Sequence, residues 1–369
     1  MNPQRVIALL GRRDEPTDAV EEYCRYLGGA LAAHNFQVEV RRVPWDQHGW
    51  TASLDALRLQ AEAWRGTWVL LQYTALAWSA RGFSNRFLKI IRLLHRYGAR
   101  VIVVYHDAEP FSGTRLVDRI RRMAQVRTMR AALAISDEAV LTVPSANLTW
   151  LGDSSTKARF IPVGANLPVS ENASEHKNIH EPPTVAVFSI TGGTAGDRET
   201  EDIVAIMKFA AVKIGRLRLL VFGRHAELRE SSLREGLRDS HVELSVEGVV
   251  QPEEVIERLA SSDVLLFLRG VISSRRGSAI AGIACGLPVI ALSGSETAAP
   301  ITDAGVILLR ADLAPNDLRK QAGEALAQVL SDVSLRNELS ERSRHAQEKY
   351  FSWPAIAKQF VELLRPPAG

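Results

Sequence analysis

Two adjacent arginines lie where a strand-like run passes into a helix of small residues. Arg275 and Arg276 follow the run 263–268, and the predicted helix begins near Gly277. Free amide groups and the dipole at a helix N-terminus favour an anion, and an arginine fork matches a pair of phosphate oxygens. The pattern predicts a phosphate or diphosphate site, with a solvated loop and an ordinary serine cap as the alternative. The predicted contacts are Ser273, Ser274, Arg275, Arg276, Gly277 and Ser278.

Glycines cluster after another apolar strand, 185–188, and a further glycine ends the strand 218–222. Glycine lets the backbone approach closely and adopt positive φ, so such a loop can press amide groups against a phosphate. The alternatives are an ordinary flexible loop and an exposed surface arginine. This second group of candidate contacts comprises Gly192, Gly193, Thr194, Arg198, Gly223 and Arg224.

A histidine and an aspartate follow the buried strand 101–105. His106 beside Asp107 suits a general base that deprotonates an acceptor hydroxyl. Neighbouring residues on an extended segment point apart, so adjacency alone does not make them a dyad. The alternative is a histidine that caps the next helix or binds the backbone. Glu109 is a further candidate for contact with the acceptor.

Positive charge is concentrated in the first half of the chain. Residues 1–165 contain 22 Lys and Arg against 15 Asp and Glu, and residues 81–130 contain 12 against 3. Such a field indicates an anionic partner, either a membrane surface or a phosphorylated acceptor, and no nucleic-acid motif accompanies it. A predicted helix over 83–96 carries a basic face opposite an apolar one, and a solvated outer face is the alternative. The candidate acceptor or membrane contacts are Arg86, Lys89, Arg92 and Arg96.

Short apolar runs alternate with helical periods along the chain, which predicts doubly wound parallel sheets. The length of 369 residues fits two domains. We expect a first domain over 1–166, a linker over 167–183, a second domain over 184–352 and a C-terminal helix within 353–369. Ligands bind beyond the carboxyl ends of the strands in such sheets.

The composition is that of a soluble globular protein, with 46% hydrophobic and 24% charged residues. No run approaches the roughly 18 apolar residues of a membrane span, and the chain begins with a strand rather than a signal-peptide pattern. Cys24 and Cys285 lie on separate predicted helices, so we expect no disulfide, no metal site and a cytoplasmic location.

The segment 283–290 resembles the donor-site helix and turn of the GT-B retaining glycosyltransferases of family 4, or group 1, which are related to sucrose synthase. Those enzymes carry two glutamates, with seven residues between them, around this helix. This chain has Ser273 and Ala281 at those places, so it is divergent at the paired-glutamate motif. The other similar segments are 33–40, 137–145, 160–166 and 351–353.

The resemblance implies two Rossmann-like domains that face a central cleft, with the C-terminal helix returning to the first domain. It implies transfer of a hexosyl or deoxyhexosyl group from a nucleotide-diphosphate sugar. The acceptor would be a glycan or a lipid-linked molecule, in cell-surface polysaccharide or glycoconjugate biosynthesis. We expect no metal and no cofactor, because helix amides and cations offset the charge of the leaving diphosphate. A peripheral position on the inner face of the cell membrane is consistent with the basic first domain.

Two other functions remain open. A catalytically silent subunit that activates or scaffolds another transferase fits the missing glutamates. A sugar-nucleotide epimerase also uses this two-domain fold, although it needs carboxylate pairs that the sequence does not display. The arginines at 275 and 276 favour a divergent active enzyme, because a decayed site has no reason to gain two cations.

Overall fold

Two sheets of six parallel strands form among residues 3–15, 17–113, 115–152, 157–168 and 180–365, which the computed structural model describes. Each sheet belongs to one of two units of the chain: residues 1–163 with 353–369, and residues 164–352. Residues 169–179 of the predicted linker lie outside the described residues. The predicted doubly wound α/β architecture is confirmed.

The sheet of the first unit has the strand order β2-β1-β3-β4-β5-β6. Its strands are β1 (Gln4–Leu10), β2 (Phe36–Arg42), β3 (Trp68–Tyr73), β4 (Arg100–Tyr105), β5 (Glu138–Leu141) and β6 (Ala158–Phe160). Its helices are α1 (Ala19–Ala32), α2 (Trp45–Ala61), α3 (Phe87–Arg96), α4 (Leu116–Ile135) and the last helix of the chain, α11 (Trp353–Leu364).

Strands β3 and β4 are continuous apolar runs because helices cover both faces of the sheet. Every residue of β3 is buried, as is every residue of β4 after Arg100. Aromatic side chains fill the core beside them, and the largest fully buried ones are Trp64, Trp78, Trp150, Tyr73, Tyr105 and Phe87.

Helix α3 separates its faces as the sequence predicts, although it begins at Phe87 rather than at residue 83 or 84. The apolar positions Phe87, Ile90, Ile91 and Leu94 are fully buried. The basic positions Arg86, Lys89, Arg92 and Arg96 are exposed.

Helix α11 packs within the first unit, as the resemblance implies. The indole nitrogen of Trp68 donates a hydrogen bond of 2.9 Å to the carbonyl oxygen of Leu364. At the other end of the helix, the ring of Trp353 stacks on Tyr26 and meets Tyr23 edge-on. These contacts fix the last helix against α1 and β3.

The sheet of the second unit has the strand order β12-β11-β10-β7-β8-β9. Its strands are β7 (Thr184–Phe188), β8 (Leu217–Phe222), β9 (Val242–Val246), β10 (Val264–Val271), β11 (Val289–Ser293) and β12 (Val306–Arg310). Its helices are α5 (Gly193–Ile214), α6 (Glu230–Leu237), α7 (Pro252–Ala260), α8 (Gly277–Ala284), α9 (Pro315–Ser331) and α10 (Val333–Ala346).

Helix α5 begins at Gly193, within the segment that the sequence predicts to be a glycine-rich loop. The expected glycine-rich loop is therefore the N-cap and first turn of a helix. Gly196 is required there, because a Cβ at this position would lie 1.9 Å from the carbonyl oxygen of Thr191. The close approach brings the end of β7 directly against the start of α5.

No helix among the described residues is both long enough and apolar enough to cross a membrane.

We expect Gly196→Ala to lower the midpoint of thermal unfolding, with a loss of about 1–3 kcal/mol, because the backbone at Thr191 must move. Gly29→Ala in α1 is the matched control, since its Cβ would meet no atom within 4 Å. That exchange should be neutral or stabilise the protein by up to about 1 kcal/mol. Equal midpoints for both variants would contradict the packing at Gly196. Differential scanning calorimetry measures the comparison.

Candidate functional site

The carboxyl ends of the parallel strands in the second unit bring four polar segments to one edge of the sheet. One follows β7 and leads into α5, and a second follows β8 at Gly223. The third runs from the end of β10 to the start of α8, and the fourth follows β11 at Ser293. All twelve residues predicted to contact phosphate lie on the first three segments or on the first turns of α5 and α8.

Arg275 forms a bidentate ion pair with a carboxylate of the fourth segment. Its Nε lies 2.8 Å from Oε2 of Glu296 and its Nη2 lies 2.9 Å from Oε1. The hydroxyl of Ser273 donates to the same Oε2 at 3.2 Å. The Nε and Nη2 groups of Arg275 therefore have a carboxylate partner, Glu296, that the sequence analysis did not identify.

Glu296 remains ionised in a nearly dry environment, with 7% of its surface exposed. Burial alone would raise the pKa of this carboxyl group. The hydrogen bond and charge of Arg275, with the charge of Arg276 and the hydroxyl of Ser273, outweigh burial, so the pKa is lowered.

Arg276 is directed away from Glu296, and its Nε donates to the carbonyl oxygen of Val271 at 3.3 Å. Burial, with repulsion from Arg275 and Arg269, lowers the pKa of Arg276 to about 10, and Glu296 opposes the shift. The side chain is therefore still charged at neutral pH.

Arg269 is a further, half-buried cation that the sequence analysis did not include. Burial lowers its pKa, repulsion from Arg224 adds to the effect, and Glu199 opposes it. The register of β10 against β11 shifts between Phe267 and Val271, and Gly270 has φ +76°. Such a bulge re-aims a strand side chain. Among the described residues Arg269 has no side-chain hydrogen bond and no ion pair.

Glu199 lies on α5 and reaches back to the end of β7. Its Oε2 accepts a hydrogen bond of 2.9 Å from the backbone amide of Thr191. Its Oε1 is buried without a hydrogen-bond partner among the described residues. Burial raises the pKa of Glu199, and the Thr191 hydrogen bonds and the charge of Arg269 only partly oppose it. The carboxyl group is therefore held in the interior between α5 and the end of β7.

The N-cap residue of α5 is Gly192, which has no side chain to accept a hydrogen bond. The first amide groups of the helix are therefore not occupied by a side-chain cap. Gly193 has φ +65°. Thr194 and Arg198 are exposed on the first two turns. Arg229, which the sequence analysis did not single out, holds this end by donating to the carbonyl oxygen of Gly193 at 2.6 Å.

Tight turns end both β7 and β8. Ser189 has φ +68°, and its hydroxyl accepts a hydrogen bond of 3.1 Å from the backbone amide of Arg224. Gly223 has φ +92°, and a Cβ there would lie 2.6 Å from the Ser189 hydroxyl. The half-buried Arg224 is thereby fixed at the same edge as Arg269.

In the first unit, His106 lies at the end of β4 and is fixed by Gln72. The ring Nε2 is 2.7 Å from Oε1 of Gln72, and the Gln72 amide nitrogen donates to the carbonyl oxygen of Leu70 at 3.0 Å. The amide oxygen therefore faces the histidine, and it can only accept. Nε2 must carry the hydrogen, so the lone pair of the neutral ring lies on Nδ1. Tyr23 meets the ring edge-on, with 4.9 Å between centroids.

Asp107 binds the loop after β3, whereas His106 binds Gln72 within that strand. Oδ2 of Asp107 accepts a hydrogen bond of 2.6 Å from the backbone amide of Ala75. Asp107 lines a cavity of about 270 Å³ within the first unit, together with Asp14, Gln72 and Thr74. Of the predicted pair, Asp107 is the one that lines this cavity.

Glu109 binds the loop at Thr149 through both the backbone amide and the hydroxyl of that residue. Arg122 approaches the same carboxylate at 3.9 Å. These contacts give Glu109 a structural role in joining two loops. Elsewhere in the described part of the chain, no group of three His, Cys, Asp or Glu residues has the arrangement of a metal site.

No family model matches the sequence, and a search of curated proteins gives no match either. Solved structures do match over almost the whole length. HepE of Anabaena, solved in complex with UDP and glucose, has a TM-score of 0.64 at 13% identity, covering 98% of this chain and 99% of its own. WaaG, a glycosyltransferase involved in lipopolysaccharide biosynthesis, has a TM-score of 0.61 at 15% identity, covering 99% and 100%. The fold is that of the GT-B glycosyltransferases.

At this level of identity the match shows the fold and leaves the reaction open. A putative UDP-N-acetylglucosamine 2-epimerase from Listeria monocytogenes also matches, with a TM-score of 0.57 at 12% identity, covering 98% of this chain and 95% of its own. The reaction must therefore be argued from the side chains.

We expect Glu296→Gln and Glu199→Gln to change stability in opposite directions at pH 7. The lowered pKa of Glu296 means that its ionised form stabilises the fold above the ordinary value of 4.5, and that this contribution is lost as pH falls through the lower folded value. Its replacement leaves Arg275 without a charge partner and should cost about 3 kcal/mol.

The raised pKa of Glu199 has the opposite effect on stability. Ionisation of this group destabilises the fold as pH rises through 4.5 towards the higher pKa of the folded state. Glu199→Gln keeps an acceptor for Thr191 and should stabilise the protein at pH 7, with the difference vanishing in acid. Thermal unfolding between pH 3 and pH 8 measures both variants. A loss of stability at pH 7 for Glu199→Gln would contradict the assignment.

Proposed function

We propose that this protein is a glycosyltransferase that moves a hexosyl or deoxyhexosyl group from a nucleotide-diphosphate sugar to an acceptor hydroxyl. The observation that carries the proposal is the group of three interacting guanidinium groups, Arg224, Arg269 and Arg276, at one edge of the second sheet. All three are half-buried, and the pKa of Arg276, at about 10, keeps that side chain charged at neutral pH. A diphosphate supplies the negative charge that such a group requires.

The same edge contains further groups that suit a nucleotide sugar. The amide groups at the start of α5 favour a phosphate. The crystallised complex of HepE with UDP and glucose supports this class of ligand.

The divergence from family 4 has a specific physical form. Ser273 stands at the place of the first glutamate of that family, and its hydroxyl donates to Glu296. We propose that Glu296 supplies a carboxylate to this position from the loop after β11. The substitution at Ser273 then changes which strand carries the carboxylate, and the enzyme remains active.

The transfer step requires the acceptor oxygen to attack the anomeric carbon while the bond to the diphosphate oxygen breaks. The electron pair of that bond remains on the diphosphate, where Arg224, Arg269 and Arg276 offset the developing charge. The acceptor proton passes to a general base, for which His106 is the candidate in the sequence. Fixed guanidinium groups provide the charge stabilisation that other transferases obtain from a divalent metal.

We further propose that the acceptor is a glycan or a lipid-linked molecule used in cell-surface polysaccharide or glycoconjugate biosynthesis, and that the protein is cytoplasmic. The similarity to WaaG, which is involved in lipopolysaccharide biosynthesis, supports this class of acceptor. The cavity beside Asp107 offers carboxylate and amide groups that can bind sugar hydroxyls.

We expect Arg269→Gln and Arg276→Gln each to weaken binding of nucleoside diphosphates by about tenfold or more, because each removes a charge-assisted contact. Isothermal titration calorimetry with UDP, GDP, ADP and dTDP measures the affinity. Arg238→Gln is the matched control, since Arg238 is exposed at the end of α6 and is not a candidate donor contact. Unchanged affinity of both variants for every nucleotide bound by the unmodified protein would remove the arginines from the donor site.

We expect His106→Ala to lower turnover by about 100-fold or more while donor affinity stays constant. The variant should also lose the limb of the pH–rate profile that reports the free base. An unaltered rate would exclude His106 as the base. Nucleotide release from a panel of nucleotide sugars, with and without acceptor, supplies the assay.

The same assay separates the two alternatives. A silent subunit binds nucleotide but releases none on its own, and it gains activity only when paired with another transferase. An epimerase releases nucleotide and free sugar without any acceptor.

A further inference from the structure

Helix α4 carries an unusual set of large apolar side chains on its solvent face. Leu116 is 72% exposed, Ile120 is 48% exposed and Met123 is 64% exposed. These positions follow the helical spacing i, i+4, i+7, so they form one stripe along the first two turns. Val117 on the same helix and Phe111 in the loop before it, each 46% exposed, widen the apolar surface.

The opposite face of α4 shows that this stripe is not needed for packing. Gln125, Thr128, Met129 and Ala132 are buried against the unit. The stripe lies on the far side of the helix, where no described residue covers it. A contiguous apolar surface of this kind on a soluble chain marks an interaction site.

Arginines continue and flank the stripe. Arg127 and Arg130 follow it on the same face of the helix, and Arg119 lies beside it. Arg119 and Arg127 are exposed and form no ion pair among the described residues. The helix contains five arginines against a single acidic residue, Asp118, which binds the backbone of Arg115.

We infer that α4 docks the first unit on an anionic lipid surface, with the stripe of Leu116, Ile120 and Met123 inserted among the acyl chains and the arginines on the headgroup phosphates. An amphipathic helix with apolar and arginine-rich positions has this binding mode. A second copy of this chain is a poor occupant, because it would bring like charges together. The inference goes beyond the proposed transfer reaction, since vesicle binding requires neither donor nor acceptor.

The location of the stripe distinguishes α4 from the basic face of α3. The exposed face of α3 carries Arg86, Lys89, Arg92 and Arg96 but no exposed large apolar residue. Helix α3 can add electrostatic attraction to the lipid headgroups, whereas α4 can also insert apolar side chains among the acyl chains. Helix α4 also follows β4 directly through the loop that begins with His106, so its first turn lies towards the carboxyl edge of the first sheet.

The test is co-sedimentation of the full chain with phosphatidylcholine vesicles that contain about one third phosphatidylglycerol. Leu116→Ser combined with Met123→Ser should lower the partition coefficient at least about tenfold. Arg119→Gln combined with Arg127→Gln should lower it by about tenfold at low salt and have little effect on pure phosphatidylcholine.

Val212→Ser on α5 is the matched control, because Val212 is 87% exposed and lies in the second unit. It should bind vesicles as the unmodified protein does, and all variants should keep their unfolding temperature and nucleotide affinity. Lys89→Gln combined with Arg92→Gln tests α3 in the same assay.

Three outcomes would overturn the inference. They are failure of the unmodified protein to bind anionic vesicles, binding of the serine variant as strong as that of the unmodified protein, and loss of binding by the α3 variant alone. A dimer that the serine variant abolishes, seen by sedimentation velocity without vesicle binding, would assign the stripe to self-association instead.

Discussion

Partial burial of guanidinium groups at the edge of the second sheet is the constraint on which the rest of the site depends. An arginine cannot lose its charge at neutral pH, so each half-buried one needs a carboxylate, a carbonyl oxygen or a ligand. Glu296 neutralises Arg275 through a bidentate pair. Arg276 has one carbonyl contact, and Arg269 has only the nearby charge of Glu199. The positive charge that remains selects an anion.

The fold could be predicted from the sequence because the apolar patterns that mark its strands and helices are local. The apolar runs of β1, β3, β4, β7 and β8 are buried on both faces, and such runs are recognised without knowing their neighbours. The exact start of α5 was not predicted, because a glycine-rich segment after a strand has the same composition in a loop and in a helical first turn. Only the approach of Gly196 to Thr191 distinguishes them.

The candidate site could be predicted only where its residues are close in sequence. The cluster 273–278 and the pair His106 and Asp107 are visible because chemistry-bearing residues stand together. Glu296 lies 21 residues from Arg275, and no periodic pattern connects them. Arg269 lies directly after the predicted strand 263–268 and beside Gly270, and a glycine there is a typical signal of a bulge. The role of Gln72 depends on an amide orientation that no sequence pattern encodes.

The hydrogen bond between Trp68 and Leu364 spans 296 positions of the chain. It joins the third strand of the first unit to helix α11, whereas residues 164–352 form a unit without interruption. During synthesis all residues of the second unit are therefore made before the first unit gains α11. The buried indole of Trp68 gains its carbonyl partner only after residues 164–352 have been made. The unit that begins first along the chain is thus the one whose residues are completed second.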